Sequence, residues 1–279
     1  MPDEATTPKR MNLIDQGQGT PVMVIPGIQG RWEWHAPGIN ALAKQCRVIT
    51  FSMADEPGSE TCFNPVACID SYCDQILQAM RQAELATTAL CGISYGGLVA
   101  AVFAARYPER VSSLILASAL PPTWKPDARV GFYLRSPKLL TPIFIVASIR
   151  LFTEILSASP GFTAAIATGV RHAWNALTHM FSPTRMARRA AQLTDTDLTT
   201  EMANIAAPVL VIVGEPHLDR VVPVAATMDY TRLLPHASAR TLERTGHLGS
   251  VTRPEAFAEL VVTFAQHCAT STNPRRRLG

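Results

Sequence analysis

Short runs of apolar, β-favouring residues alternate with longer helical patterns along this chain, and that alternation limits its fold more than any other feature. Residues 22–25 form a buried-strand pattern that stops at a Pro-Gly pair, and residues 208–213 form another. Strands that alternate with helices predict an α/β fold with a mostly parallel sheet covered by helices on both faces. The other predicted strands are 47–51, 88–91, 111–117 and 239–242, and the predicted helices are 66–85, 98–106, 224–234 and 254–267.

Residues 121–200 interrupt this alternation. They contain no clear strand pattern, and their apolar residues recur at helical spacing. The segment carries a net charge of +5, because nine Lys and Arg residues stand against four Asp and Glu. Residues 139–170 hold only Arg150 and Glu154 as charges. We therefore predict a helical insertion whose apolar stretch packs on the core, lines a cavity or contacts a partner.

The composition narrows the classes of function. Hydrophobic residues make up 47% of the chain and charged residues 17%, which excludes wholesale disorder. A net charge of +3 is too small to indicate a nucleic-acid-binding protein. The longest apolar stretch, residues 139–149, is shorter than the roughly 20 residues of a membrane-spanning helix, and no signal-peptide pattern is evident. We therefore expect a cytoplasmic protein without stable membrane insertion.

The six cysteines form neither a CxxC pair nor a zinc-like cluster with histidine, so no metal site and no cofactor are expected. Their spacing predicts reduced thiols, mostly in the core. A surface redox role for Cys62, Cys68 and Cys73 is the alternative.

The most specific motif is Gly92-x-Ser94-x-Gly96, which stands between a strand pattern and a helix pattern. A serine in that place sits on a tight strand-to-helix turn, where flanking glycines avoid clashes and the hydroxyl is lifted off the sheet. The next backbone N–H, that of Tyr95, lies at the helix N-terminus and favours negative charge. The motif predicts Ser94 as a nucleophile and the Tyr95 N–H as an oxyanion donor.

A serine nucleophile needs a general base and an acid that orients it, and in this arrangement they follow in the order Ser, acid, His. His247 lies in a glycine-bracketed loop just after the last predicted strand and is the predicted base. The acid should follow strand 208–213, where Asp219 stands just before the next helix pattern. Asp219 is the predicted acid, with Glu215 and Asp127 as alternatives.

A second oxyanion donor is expected in the turn after the first long strand. Residues 26–30 form that turn, and its Ile28 N–H is predicted to point at the oxyanion. Gln29 and Trp32 are predicted to contact substrate. In one interpretation Trp32 and its aromatic neighbours wall the entrance of a substrate pocket; in the other they form a packed surface loop.

The Pro-Gly turn, the serine elbow, the Asp-x-Val-Val-Pro segment and the Gly-His loop together resemble the α/β-hydrolase superfamily. The nearest resemblance is to bacterial serine esterases with a helical cap after the sixth strand. It implies an α/β-hydrolase core formed by residues 1–120 and 201–279, a cap formed by residues 121–200, and a disordered tail over 269–279. The family usually has His-Gly where this chain has Pro26-Gly27, which changes the local hydrogen bonding.

The resemblance also implies a catalytic triad of Ser94, Asp219 and His247, with Ile28 and Tyr95 as the oxyanion hole. The expected activity is serine carboxylesterase-type hydrolysis of a small-molecule ester with an apolar acyl or alcohol group. Thioester, lactone and carbon–carbon bond hydrolysis use the same parts. A slow-turnover, ligand-binding signalling protein of the same fold is an alternative from another class.

The insertion carries the remaining expectations. Ile145 and Ile166 are predicted to line the substrate pocket, and the apolar stretch would also allow a homodimer through the cap or binding to a lipid surface. Arg185, Arg188 and Arg189 form a basic helix face. Such a face is most often solvated, and the alternative is that it docks an anionic handle of the substrate.

Overall fold

All six strands predicted from the sequence are present in the computed structural model, which describes residues 10–194 and 197–271. Seven strands form one sheet in the order β1-β3-β2-β4-β5-β6-β7, with only β1 antiparallel to its neighbour. Strand β1 is not among the predicted strands, because its three residues, Ile-Asp-Gln, carry no strand pattern of their own. The strands are β1 (Ile14–Gln16), β2 (Pro21–Ile25), β3 (Arg47–Thr50), β4 (Thr88–Ile93), β5 (Val111–Ala117), β6 (Val209–Val213) and β7 (Ala237–Thr241).

The helices fall into those that cover the sheet and those that form the insertion. The covering helices are α1 (Ala36–Leu42), α2 (Cys68–Gln82), α3 (Tyr95–Arg106), α10 (Val224–Thr227), α11 (Asp229–Leu233), α12 (Gly249–Thr252) and α13 (Pro254–Ser271). The insertion contains α4 (Ala128–Arg135), α5 (Pro137–Ser148), α6 (Phe152–Ala158), α7 (Phe162–Thr178), α8 (Pro183–Ala191) and α9 (Thr199–Met202). No helix within residues 10–194 and 197–271 is long and apolar enough to cross a membrane.

The sheet separates two apolar clusters, as expected when successive side chains of a strand point to opposite faces. Met23 and Ile25 of β2 belong to the cluster shared with α2 and α3. Val22 and Val24 belong to the cluster shared with α1 and α13. Both faces of the sheet are therefore covered, which confirms the predicted α/β architecture.

Five strands of the described chain precede the insertion, one fewer than the predicted six. When the strands are counted along the described chain from the edge strand β1, the insertion comes directly after β5. Helix α13 ends at Ser271, inside the predicted disordered tail, and the remainder of that tail lies outside the described residues.

The cysteines are free thiols, and Cys62 is the exposed one. Cys68 and Cys73 are buried on α2, and burial raises the pKa of the Cys73 thiol to about 12. A surface redox cluster of these residues is therefore wrong, because the helix turns two of them into the core.

Candidate active site

Ser94 lies on the turn between β4 and α3, as the elbow motif predicts. Its φ of 55° and ψ of −120° place a non-glycine residue in the left-handed region, where L-residues are strained. The turn is fixed by a hydrogen bond from the Ser94 N–H to the Ala117 carbonyl at 2.9 Å. Gly96 is required because a Cβ there would collide with the carbonyl oxygens of Ile25 and Pro26. The hydroxyl is thus held at the carboxyl edge of the sheet.

The structure brings Ser94, His247 and Asp219 together from three separate loops. The Nε2 atom of His247 is 3.0 Å from the Ser94 Oγ, and its Nδ1 is 3.4 Å from the Asp219 Oδ2. A carboxylate can only accept, so Nδ1 carries the proton and Nε2 presents its lone pair to the serine hydroxyl. This order of donors and acceptors allows His247 to take the proton of Ser94.

Asp219 is held in its ionised form by its surroundings. Its Oδ1 accepts hydrogen bonds from the Val221 and Val222 amides, both at 2.9 Å. Burial alone would raise the pKa of this carboxyl, but His247 and the two amides outweigh burial and lower it below the ordinary value. A negative charge therefore stays next to the imidazole.

The two alternative acids are engaged elsewhere. Glu215 accepts a hydrogen bond from the Arg244 amide at 2.6 Å. Asp127 is exposed and caps α4 by accepting from the Val130 amide at 2.8 Å. In the structure, the carboxylate within hydrogen-bond distance of the His247 Nδ1 is that of Asp219.

The predicted oxyanion turn is held at Gly27 by a histidine. The Gly27 N–H donates to the His35 Nε2 at 3.2 Å, so the proton of this ring lies on Nδ1, which donates to the Ser250 Oγ at 3.1 Å. Burial, together with the charges of His247 and His172, lowers the pKa of His35 to about 3. A neutral His35 therefore links the oxyanion turn to α12, which follows the His247 loop.

Arg189 holds the same turn from the other side. Its fully buried guanidinium donates to the Ile28 carbonyl at 2.6 Å, to Asp55 at 2.5 Å and to Glu56 at 2.6 Å. Burial opposes the charge, but the two carboxylates outweigh it and keep the pKa of Arg189 above its ordinary value. Gly30 is required beside it, because a Cβ there would overlap the guanidinium.

The predicted basic face of α8 is therefore corrected. Arg189 is buried and paired, and Arg185 pairs with Glu56 at 3.0 Å. Arg188 is the exposed member and lies over the Phe63 ring. The face is not a solvated row of three cations, because Asp55 and Glu56 form ion pairs with two of the arginines.

The Ile28 and Tyr95 amides remain available for a substrate oxygen. Neither N–H donates to an acceptor within residues 10–194 and 197–271. Tyr95 is the first residue of α3, where the helix dipole favours an anion.

Glu154 of α6 lies next to the candidate site, although no motif in the sequence indicates it. Its carboxylate is fully buried, and its Oε1 accepts from the Thr245 hydroxyl and from the Leu248 amide, both at 2.6 Å. These donors flank His247 on either side. Burial raises the pKa of Glu154 despite these hydrogen bonds. Its one sequence signal is that it is the single acid within residues 128–194.

The residues predicted to contact substrate lie in different parts of the structure. Gln29 lies in the oxyanion turn and is half-buried. Trp32 packs against the apolar cluster of α1 and α13, whereas Trp34 donates from Nε1 to the His179 carbonyl at 3.0 Å. Ile166 lies on α7 and is 43% exposed. The backbone of residue 145 lies in α5, and the side chain of Ile145 lies outside the described part of the chain.

The chain is similar in sequence to known hydrolases. The chain is 27% identical to 2-hydroxymuconate semialdehyde hydrolase of Pseudomonas sp. (strain CF600), with 91% of this chain and 90% of that hydrolase covered. It is 29% identical to pimeloyl-[acyl-carrier protein] methyl ester esterase of Yersinia enterocolitica, with 85% of this chain and 93% of that esterase covered.

A solved esterase of Exiguobacterium antarcticum has the same fold, with a TM-score of 0.76, 21% identity, and coverage of 92% of this chain and 95% of that one. The model of the α/β hydrolase fold family matches residues 20–254. The chain belongs to the α/β hydrolase family.

Proposed function

We propose that this protein is a serine hydrolase that cleaves carboxylic esters with an apolar acyl or alcohol group through an acyl-enzyme on Ser94. The observation that carries the proposal is the hydrogen-bonded series from Ser94 through His247 to Asp219. That series activates a hydroxyl at neutral pH without any other group.

In the first half of the reaction, the Ser94 Oγ attacks the ester carbonyl carbon while its proton passes to the His247 Nε2. The carbonyl oxygen becomes an oxyanion that accepts hydrogen bonds from the Ile28 and Tyr95 amides. The intermediate then collapses, the bond to the alcohol oxygen breaks, and His247 returns its proton to the leaving alcohol. The acyl group is left on Ser94.

In the second half, a water molecule attacks the acyl carbon and gives a proton to the His247 Nε2. Collapse of this intermediate breaks the bond to the Ser94 Oγ, which recovers the proton. The carboxylic acid leaves and the enzyme is restored. Asp219 stabilises the imidazolium at both stages.

Hydrolysis of p-nitrophenyl esters of graded chain length tests the proposal. The wild-type protein is expected to turn over these esters with a preference for apolar acyl groups. Ser94→Ala should lower kcat by at least about 10³-fold, since a triad acts as a unit. Ser113→Ala is the matched control, because Ser113 is also buried but lies in β5 with no hydrogen-bond partner for its hydroxyl within the described chain.

The outcomes separate the rival functions. One p-nitrophenol released per protein, followed by very slow turnover, would favour the ligand-binding alternative. Ester activity that survives in Ser94→Ala would overturn the proposal. Reaction of Ser94 with an acylating probe but no ester turnover would point to a thioester, lactone or carbon–carbon bond instead.

A further inference from the structure

Helix α7 packs on the protein through its small and polar residues. The Asn175 side chain donates to the Glu33 carbonyl at 2.6 Å, and the His172 ring meets the Trp34 ring edge-on at 5.4 Å between centroids. Ala165 is buried, and Gly169 lies next to Phe152 of α6. These contacts fix which side of α7 faces the rest of the molecule.

The opposite side of α7 is apolar and exposed. Its large side chains recur every three or four residues, so they lie on one side of the helix. They are between 43% and 69% exposed. We call this set the outer face of α7; it consists of Phe162, Ile166, Val170, Trp174 and Leu177. A helix that packs through small and polar residues and exposes its large apolar side chains indicates an interaction surface.

The exposed charges on α7 and on the segment that leads into α6 are cations. Residues 128–194 contain eight Lys and Arg, of which Arg185 and Arg189 pair with Glu56 and Asp55, and one acid, Glu154, which is buried. Arg171 is exposed on α7 itself, and the segment that leads into the neighbouring α6 exposes Ile149 and Arg150. Arg135 of α4 and Lys138 of α5 are further exposed cations of the insertion. The partner of this surface should therefore be apolar and negatively charged.

We propose that the outer face of α7 docks the protein on an anionic lipid surface. The apolar side chains would insert at the boundary between headgroups and acyl chains, while the cations contact anionic headgroups. Trp174 suits this boundary, because its ring combines apolar area with one N–H donor. The docking is independent of the proposed esterase activity, since it requires neither Ser94 nor its partners.

A second copy of the chain fits the same face less well. A symmetric dimer places the same patch on both sides, so the cations beside α7 would meet one another. A stable protein interface also draws on about 20–30 residues per side, many more than this one helix face offers. A lipid surface supplies the opposite charge and takes up apolar side chains without a shaped partner.

Co-sedimentation with vesicles tests the docking. Vesicles of phosphatidylcholine alone are compared with vesicles that also contain phosphatidylglycerol. We expect binding to the anionic vesicles only, with a blue shift of tryptophan fluorescence that Trp174→Ser removes. Phe162→Ser combined with Val170→Ser should weaken the partition at least about tenfold, and Arg171→Gln about fivefold.

Two matched controls change exposed residues outside the insertion. Val66→Ser removes an apolar side chain that is 92% exposed far from α7 in sequence, and Arg81→Gln removes an exposed cation of α2. Neither should change vesicle binding. Hydrolysis of a water-soluble ester should be unaffected in all these variants, which separates a failure of docking from a failure of the proposed function.

Three outcomes would overturn the docking proposal. They are equal binding to both kinds of vesicle, no binding to either, and a sedimentation mass of a dimer that Phe162→Ser with Val170→Ser converts to a monomer. The last of these would assign the outer face of α7 to self-association instead.

Discussion

Arg189 is a single side chain on which the shape of the oxyanion turn depends. It donates to the Ile28 carbonyl, and its charge is balanced by Asp55 and Glu56 in a fully buried cluster. Arg189→Met should therefore destabilise the protein by about 3–5 kcal/mol, because the buried Asp55 loses its counter-charge and Glu56 keeps only Arg185. Urea unfolding measures this loss.

A triple variant isolates the effect of Arg189 on the turn. Asp55→Asn and Glu56→Gln, added to Arg189→Met, remove both carboxylate charges and should recover much of the lost stability, because the Arg185 side chain is 26% exposed and can be hydrated. The kcat for a soluble ester should stay at least about tenfold below that of the wild type with KM little changed, because an oxyanion donor acts mainly in the transition state. A folded triple variant with wild-type kcat would show that Arg189 serves stability alone.

His35 gives the protein a measurable dependence on pH. Its pKa is lowered from 6.5 to about 3, so between these values the unfolded chain binds a proton there that the folded protein does not. The contribution of His35 to the free energy of unfolding is therefore greatest above pH 6.5, and it decreases as the pH falls toward 3. His35→Gln keeps an acceptor for the Gly27 amide but cannot titrate.

From about pH 7.5 to about pH 5, the wild type should lose about 1–2 kcal/mol more unfolding free energy than His35→Gln. Urea unfolding of both proteins at the two pH values measures the difference. Parallel losses in the two proteins would mean that His35 is protonated in the folded state and that the Gly27 hydrogen bond is not made by a neutral ring.

At the scale of elements, α6 is connected to the His247 loop by Glu154. Both hydrogen bonds reach the same oxygen, and the other oxygen has no partner within the described chain. Because the pKa of Glu154 is higher in the folded protein than in the unfolded chain, its ionisation lowers the free energy of unfolding. This loss is complete above the folded-state pKa and absent below about pH 4.5, where Glu154 is protonated in both states.

Glu154→Gln should therefore be more stable than the wild type near pH 8, and this advantage should shrink toward pH 4.5. Its amide oxygen can still accept from Thr245 and Leu248. Glu154→Ala should be less stable at both pH values, because two buried donors lose their acceptor. Thermal unfolding of the wild type and the two variants near pH 8 and near pH 4.5 measures these differences. If Glu154→Gln is the least stable of the three near pH 8, the pKa of Glu154 is not raised in the folded protein.

The elements with strong local patterns were predictable from the sequence. The buried strand around Val211, the elbow at Ser94 and the loop at His247 each follow from residues within a few positions of one another. The short edge strand β1 was not predictable, because its three residues are ordered by pairing with β3 about 34 residues later.

At the scale of the whole molecule, the contacts that the sequence left undetermined are those between distant segments. Arg189 meets Asp55 across 134 positions, and Glu154 meets Thr245 across 91. No periodicity or motif encodes such pairs, so Arg189 was grouped with a solvated face and Glu154 was not singled out. Both residues connect the insertion to loops of the core: Arg189 to the oxyanion turn and the 55–56 loop, and Glu154 to the His247 loop.

In the proposed mechanism these loops activate one serine, Ser94. Measurement of the intact mass of the protein after reaction with a fluorophosphonate, followed by mapping of the modified peptide, tests this directly. We predict one adduct on Ser94, no adduct in Ser94→Ala, and much slower labelling in Asp219→Asn, because the wrong imidazole tautomer then faces the hydroxyl. Labelling of another residue, or labelling of Asp219→Asn at the wild-type rate, would contradict the account.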